Sequence, residues 1–317
     1  MADHIRTVGV VGTGVIGSSW IALFLARGLH VVVSDPAPGA REKLDQSIQA
    51  TWPTMRKIGL SDNASPTNYR FVDDVVDHLD EVQFVQENAP EKKEFKAQLF
   101  GRLDAKAAPN TVIASSSSGI PSSQFIDQCH RAPERVLIGH PFNPPHLMPL
   151  VEVVPHTGTT KDASNTALEF YRSLGKSPIL IHQETPGFVA NRLQAAVIRE
   201  AKSLVFRGVV SARDVDAAMT NSLGPRWAIN GPFMSQVLGG GGGKDGFLKL
   251  QRHLGPMIKE WLDDMDEHRT ALTEEGIQMV DHSVQDMVVD VDLGMIARHR
   301  DDAILDLLTT KRRVEES

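Results

Sequence analysis

The chain has 317 residues, enough for two domains that each bury a core, and its 41% hydrophobic and 23% charged content excludes a disordered or fibrous polypeptide. A formal charge of -7 argues against a nucleic-acid partner, although a local basic pocket stays open, and no apolar run approaches the ~20 residues of a membrane helix. The single cysteine, Cys129, cannot form an internal disulfide, and no secretory leader pattern opens the chain, so a cytoplasmic protein without a bound metal is expected.

The first element is Thr7-Val-Gly-Val-Val11, a short apolar run of strand type. Gly12-Thr-Gly14-Val-Ile-Gly17 follows directly, and helical apolar spacing runs from Ser18 to Arg27. Strand, glycine turn and helix form the context that a dinucleotide-binding Gly-x-Gly-x-x-Gly pattern requires. Gly12 permits the tight turn, Gly14 lets the backbone approach a pyrophosphate, and Gly17 lets helix and strand pack closely. Val15 and Ile16, between those glycines, join the expected cofactor contacts, with the phosphates at the positive end of the helix dipole. A second strand, Leu29-His-Val-Val-Val-Ser34, ends at Asp35, where a carboxylate accepts hydrogen bonds from the adenosine ribose and repels a 2′-phosphate. No arginine immediately follows it, which favours NAD over NADP. A purely structural glycine turn is the alternative.

Farther along, the pattern predicts a polar helix over 40–60, a loop over 61–66 and strands at 81–86 and 111–114 flanking a helix at 91–103. Strands at 135–139 and 150–154, a helix near 163–174 and a strand at 177–182 complete the alternation. Alternating strands and helices imply an α/β, Rossmann-type doubly wound sheet, with ligands at the strand carboxyl ends. After Thr185-Pro-Gly187 helical patterns dominate, beginning with one long helix over 189–207. The expected domains are therefore 1–186, binding the dinucleotide, and 187–317, mainly helical. Gly239 to Gly243 read as a flexible connection between helices, and Lys311-Arg-Arg313 as a solvated helix end.

The stretch His140-Pro-Phe-Asn-Pro-Pro-His-Leu-Met-Pro-Leu-Val-Glu152 places an imidazole at one strand end and a carboxylate inside the next strand. If the proline-rich connection folds back as a hairpin, Glu152 holds one ring nitrogen and leaves the other to take a proton from a substrate hydroxyl. An unpaired carboxylate in the apolar Leu-Val-Glu-Val-Val run is costly to bury, which favours a pair over a structural histidine.

With these motifs in order, the whole chain resembles the 3-hydroxyacyl-CoA dehydrogenase superfamily. That resemblance implies a Rossmann domain, a helical dimerising domain, and a histidine–glutamate pair assisted by a serine and an asparagine. The serine falls in Ala114-Ser-Ser-Ser-Ser118, with Ser118 selected and Ser116 and Ser117 open; the asparagine is Asn191 in Pro186-Gly-Phe-Val-Ala-Asn191-Arg192. Their implied role is to hydrogen-bond the reacting oxygen. The resemblance also assigns cofactor contacts to Ala89, Pro90, Glu91, Lys96, Ser116 and Asn143. Without it, Glu91 and Lys96 read equally well as solvated helix charges.

Acyl-CoA members usually carry a Gly-Tyr-Pro-Met-Gly-Pro type segment in the second domain, whereas this chain has Leu223-Gly-Pro-Arg226-Trp-Ala-Ile-Asn-Gly-Pro232. A guanidinium there matches a free carboxylate bidentately, so Arg226 and Trp227 are the expected substrate contacts and a small free 3-hydroxy acid the expected substrate. The competing reading pairs Arg226 with an acid at an interface. Within the superfamily the likeness is closest to the λ-crystallin and L-gulonate 3-dehydrogenase branch, and L-carnitine dehydrogenases share several features. The expected activity is NAD-dependent oxidation of L-gulonate, with L-carnitine or a 3-hydroxyacyl-CoA as alternatives. A trimethylammonium group favours an aromatic or acidic enclosure, for which Trp227 and Phe233 are candidates. A crystallin-like structural protein and an NAD-binding sensor are the readings from other classes, and the resemblance implies a homodimer.

Overall fold

The computed structural model describes residues 5–269, 273–289 and 291–315. They form two compact units, Met1–Arg192 and Leu193–Ser317.

The first unit is built on one eight-stranded sheet: β1 Thr7–Val11, β2 His30–Ser34, β3 Tyr69–Phe71, β4 Phe84–Glu87, β5 Val112–Ser115, β6 Val136–Pro141, β7 Leu150–Pro155 and β8 Ser177–Leu180. Its spatial order is β3-β2-β1-β4-β5-β6-β7-β8. Every neighbouring pair is parallel except β6 and β7, whose connection, residues 142–149, is too short for a crossover and folds back as a hairpin. The strands are near-continuous apolar runs because helices cover both faces.

On one face lie α1 (Val15–Ala26), α2 (Ala40–Ile58) and α4 (Lys161–Ser173); Trp20, Phe24, Leu44, Phe170 and Tyr171 fill the core there. Trp20 stacks on Phe24 at 5.4 Å, and Phe84 meets Phe170 at 4.3 Å. On the other face α3 (Lys93–Lys106) packs Leu99, Phe100 and Leu103 against Val85, Ile113 and Ile138. Each such buried side chain contributes roughly 1.5–3 kcal/mol. Because α1 is buried all round from Gly17 to Ala26, it shows no polar face in the sequence.

Two features were not expected. β3 and the 3-10 turn Val75–His78 carry no periodic signal, since β3 is three residues of a partly exposed edge. The unit also ends later than residue 186: the first turn of α5 (Ala190–Phe206) donates its backbone N–H groups to Glu152 of β7, which ties it to the sheet.

The second unit comprises the rest of α5 with α6 (Ala212–Ala218), α7 (Gly224–Gly239), α8 (Gly246–Glu267), α9 (Glu274–Val288) and α10 (Leu293–Glu315). Ser211 and Thr273 cap α6 and α9 by accepting from the N–H groups of Asp214 and Gly276. α7 is broken at Gly231, φ 67°, because Pro232 disfavours a helical residue before it and only glycine takes that angle without strain. The connection at 239–243 joins two helices as expected, but it is a defined reversal and not a loose tether. Gly241, Gly242 and Gly243 all have left-handed φ, and a Cβ on Gly240 falls 1.8 Å from the Gly246 carbonyl oxygen. Lys311, Arg312 and Arg313 lie in the last turns of α10. Among the described residues no helix is long and apolar enough to cross a membrane.

Candidate active site

At the carboxyl end of β1 the chain turns at Gly12, φ 89°, where a Cβ falls 2.8 Å from the Asn88 carbonyl oxygen. A Cβ on Gly17 falls 2.0 Å from the Gly12 carbonyl oxygen, so this close packing requires glycine. A Cβ on Gly14, by contrast, meets nothing within 4 Å. That open space lies at the N-terminus of α1, which has no side-chain cap and no acidic residue in its first turn. Val15 is 71% exposed beside it, and Ile16 packs against the core. A pyrophosphate fits such a cradle, accepting from the uncapped N–H groups.

Asp35 directly follows β2 and faces the same turn. Its Oδ2 accepts from the Thr13 N–H at 2.7 Å and the Thr13 hydroxyl at 2.8 Å, and its Oδ1 accepts from the Ala37 N–H at 2.9 Å. Partial burial raises the carboxyl pKa, but these hydrogen bonds and Lys43 outweigh it and hold the pKa below the usual range. A carboxylate offers about four acceptor sites, so Oδ1 retains capacity for a ribose hydroxyl.

On β6 and β7 the antiparallel register places His140 directly opposite Glu152. The imidazole Nδ1 lies 2.8 Å from Glu152 Oε2, while Oε1 accepts from the N–H groups of Val189 at 2.9 Å and Ala190 at 3.0 Å. Full burial raises the Glu152 pKa; the His140 hydrogen bond and the two backbone donors more than reverse this, and the group is held below its ordinary value. An ionised Glu152 can only accept, so Nδ1 donates to it and Nε2 is the ring nitrogen left facing away from the carboxylate. Phe142 and Phe188 flank the ring at 5.3 and 5.6 Å. Phe188 adopts a left-handed φ of 51°, unusual for a bulky residue, and the Pro186-Gly187 turn and its bond to Thr185 hold it there.

Two residues beyond Phe188 the chain enters α5, and Asn191 Nδ2 donates to the Ser118 carbonyl at 3.0 Å. His140, Glu152, Asn191 and Ser118 therefore form one connected group inside the first unit. Within the serine run the hydroxyls of Ser115, Ser116 and Ser117 are engaged: Ser115 donates to Glu87, Ser116 to Asn88 at 2.7 Å, and Ser117 to Glu91 at 2.6 Å. Of these four serines only Ser118 is exposed, and its hydroxyl has no partner among the described residues. Ser116 also accepts from Gln86 at 2.9 Å, so its hydroxyl is turned into the protein.

Glu91 and Lys96 are not solvated helix charges. Glu91 precedes α3, and its Oε1 accepts from the N–H groups of Ser118 and Gly119 at 3.0 and 3.1 Å, as well as from the Ser117 hydroxyl. Partial burial raises its pKa, yet Ser117, Lys96 and these N–H groups bring it below the usual carboxylate range. Lys96 is 1% exposed, and its ammonium bridges Glu87 at 2.9 Å and Glu91 at 3.4 Å. Together they hold the serine loop in place. Ala89 donates to Glu87 Oε1 at 2.7 Å, and Pro90 continues that loop at the carboxyl end of β4. Asn143 is exposed in the hairpin connection, directly after Phe142.

Arg226 and Trp227 lie on α7 in the helical unit, both exposed; Arg226 Nε donates to the Ser222 carbonyl at 3.3 Å, and no described carboxylate pairs with it. Sequence reasoning gave no role to Gln86, Glu87 or Tyr171. Tyr171 donates to Gln86 at 2.7 Å, and Gln86 in turn reaches Ser116 and the Gly139 carbonyl beside His140. The one available signal was a polar Gln-Glu pair ending an apolar strand.

Residues 7–185 match the model of the 3-hydroxyacyl-CoA dehydrogenase NAD binding domain, and residues 187–282 that of the 3-hydroxyacyl-CoA dehydrogenase C-terminal domain. A 3-hydroxyacyl-CoA dehydrogenase of Gibberella moniliformis is 50% identical over 314 residues, 99% of this chain and 97% of the relative. An L-carnitine dehydrogenase of Streptomyces coelicolor is 40% identical over 301 residues, 93% and 94% of the two chains. Among solved structures, 5-formyl-3-hydroxy-2-methylpyridine 4-carboxylic acid 5-dehydrogenase, an NAD-dependent dismutase, superposes with a TM-score of 0.76 at 25% identity, covering 99% of each chain. Matched in order across both units, the chain belongs to the 3-hydroxyacyl-CoA dehydrogenase family, a family of NAD-dependent oxidoreductases.

Proposed function

We propose that this dehydrogenase oxidises the 3-hydroxyl of a small free L-3-hydroxy acid to the 3-oxo acid, with L-carnitine ahead of L-gulonate. The observation that carries the chemistry is the His140–Glu152 pair, which fixes the imidazole with Nδ1 on the carboxylate and Nε2 aimed away from it. NAD, when bound, accepts the hydride from the carbinol carbon. Nε2 of His140 takes the hydroxyl proton, and Glu152 stabilises the imidazolium so formed. The Ser118 hydroxyl and the Asn191 amide hold the reacting oxygen. Gly12, Gly14, Val15, Ile16 and Gly17 cradle the pyrophosphate and Asp35 the adenosine ribose, while Ala89, Pro90 and Asn143 border the nicotinamide end. Glu91, Lys96 and Ser116 act there through the serine loop they brace.

Substrate choice rests on Arg226, a guanidinium with no carboxylate partner among the described residues, and on the likeness to an L-carnitine dehydrogenase. Trp227 offers an aromatic face for a trimethylammonium group. A second reading, a 3-hydroxyacyl-CoA thioester, is favoured by the 50% identical relative of that name. NADH formation with L-carnitine, L-gulonate, L-3-hydroxybutyrate and its CoA thioester separates them. Turnover of a free acid alone supports the first reading, and turnover of the thioester alone replaces it with the second. We also propose a homodimer, because the helical unit leaves its large apolar side chains uncovered.

A further inference from the structure

Lys176, between α4 and β8, is 7% exposed and has no carboxylate partner among the described residues. Its ammonium donates to the carbonyl oxygens of Pro145 and Met148, the latter at 2.7 Å, and lies 5.2 Å from the centroid of the Trp20 ring. Burying an unpaired cation is costly. Charge-assisted bonds to two carbonyls and the negative face of an indole offset that cost only while these partners stay in place. Both carbonyls belong to the connection between His140 and Glu152, the loop that carries Asn143. Its own backbone hydrogen bonds are local, from Leu147 and Met148 back to the Pro144 carbonyl, and only at its end does the Pro149 carbonyl accept from the Ser177 N–H of β8, at 2.9 Å. Apart from Lys176, its side-chain anchor is Ser19 of α1, which accepts from the His146 N–H at 2.9 Å and meets the His146 ring at 2.8 Å.

We propose that Lys176 is a positioning residue for this loop: its charge draws the Pro145 and Met148 carbonyls onto α1 and so presents Asn143 at the cofactor end of β6. The inference rests on the reading of Asn143 as a neighbour of the nicotinamide. Burial, with the nearby Arg27 guanidinium, pushes the Lys176 ammonium down to about 7, so the clamp weakens as pH rises through the neutral range. The other titratable groups around it are His146 in the loop and Tyr171 on α4, whose phenol burial holds far above that range.

The test is NADH binding, followed by nicotinamide fluorescence on both sides of pH 7, together with amide hydrogen-exchange protection over 142–149. Lys176→Met keeps the apolar stem and removes the charge. It is expected to bind NADH about tenfold more weakly at the acid end, with faster exchange in the loop and an affinity that does not vary with pH. Wild-type affinity is expected to fall toward that of the variant as pH rises. Unchanged loop exchange in Lys176→Met overturns the proposal. If that variant does not fold, the wild-type series still decides: protection and affinity that stay flat through neutral pH overturn it. Asn143→Ala separates the two levels. Normal NADH binding in Asn143→Ala, with loop exchange still dependent on Lys176, overturns the reading of Asn143 and supports the clamp.

Discussion

The sheet unit holds Trp20, Phe84 and Tyr171 at essentially no exposure, whereas in the helical unit Phe233, Trp261 and Leu262 are each more than half exposed. Ala212 is the one buried apolar side chain of the helical unit among the described residues. A parallel sheet has two faces that helices of the same unit cover, so its core closes on itself. Amphipathic helices such as α8 and α9 bury an apolar stripe only against a further surface. The difference bears on where the proposed chemistry sits. His140, Glu152, Ser118 and Asn191 need fixed distances, and the self-sufficient unit supplies them.

Four outcomes test or sharpen this contrast. The largest concerns the rigid unit's chemistry: His140→Gln is expected to lower turnover about 10³-fold, with NADH affinity unchanged in a fluorescence titration. Near-normal turnover sinks the proton-acceptor assignment. Next, Gly139→Ala places a Cβ 1.9 Å from the Tyr171 hydroxyl oxygen, and overpacking at that point is expected to cost about 3 kcal/mol in denaturant unfolding. An unchanged midpoint argues that the sheet core is looser than described. In the helical unit the same kind of intrusion has a different readout: Trp261→Lys is expected to weaken the dimer by about 2 kcal/mol in sedimentation equilibrium while the sheet unit keeps its fold. A wild type that sediments as a stable monomer removes the basis of that contrast.

The smallest effect is a pH dependence. The Glu152 pKa in the folded protein lies below its ordinary value of 4.5, so its contribution is fully present above that pH and disappears as pH falls through the lower folded value. Glu152→Gln is therefore expected to be less stable than wild type by about 1.5 kcal/mol at neutral pH, with the gap closing below 4.5. A gap that widens in acid contradicts the sign.

Legibility differed residue by residue. The glycine turn, Asp35 and the facing of His140 to Glu152 follow from short-range rules, because a hairpin too short to cross over must pair its own strands. Lys96 was ambiguous for the opposite reason. Its neighbours Glu87 and Ser115 lie on two different strands, and nothing local to α3 says that its charge turns inward. Phe188 was missed because a phenylalanine with left-handed φ violates local preference, and the bond to Thr185 and its packing against His140 hold it there.

By itself the sequence determined the α/β alternation, the NAD fingerprint and the order of the candidate catalytic motifs, since periodicity, glycine geometry and chain order are local properties. The tertiary structure alone decided which serine keeps a hydroxyl without a partner among the described residues, that the entry to α5 belongs with Glu152, and that Lys176 lies buried beneath the loop between β6 and β7. Each of these depends on groups far apart in the chain meeting within hydrogen-bond distance, and burial then sets whether a polar side chain faces solvent, substrate or the protein itself.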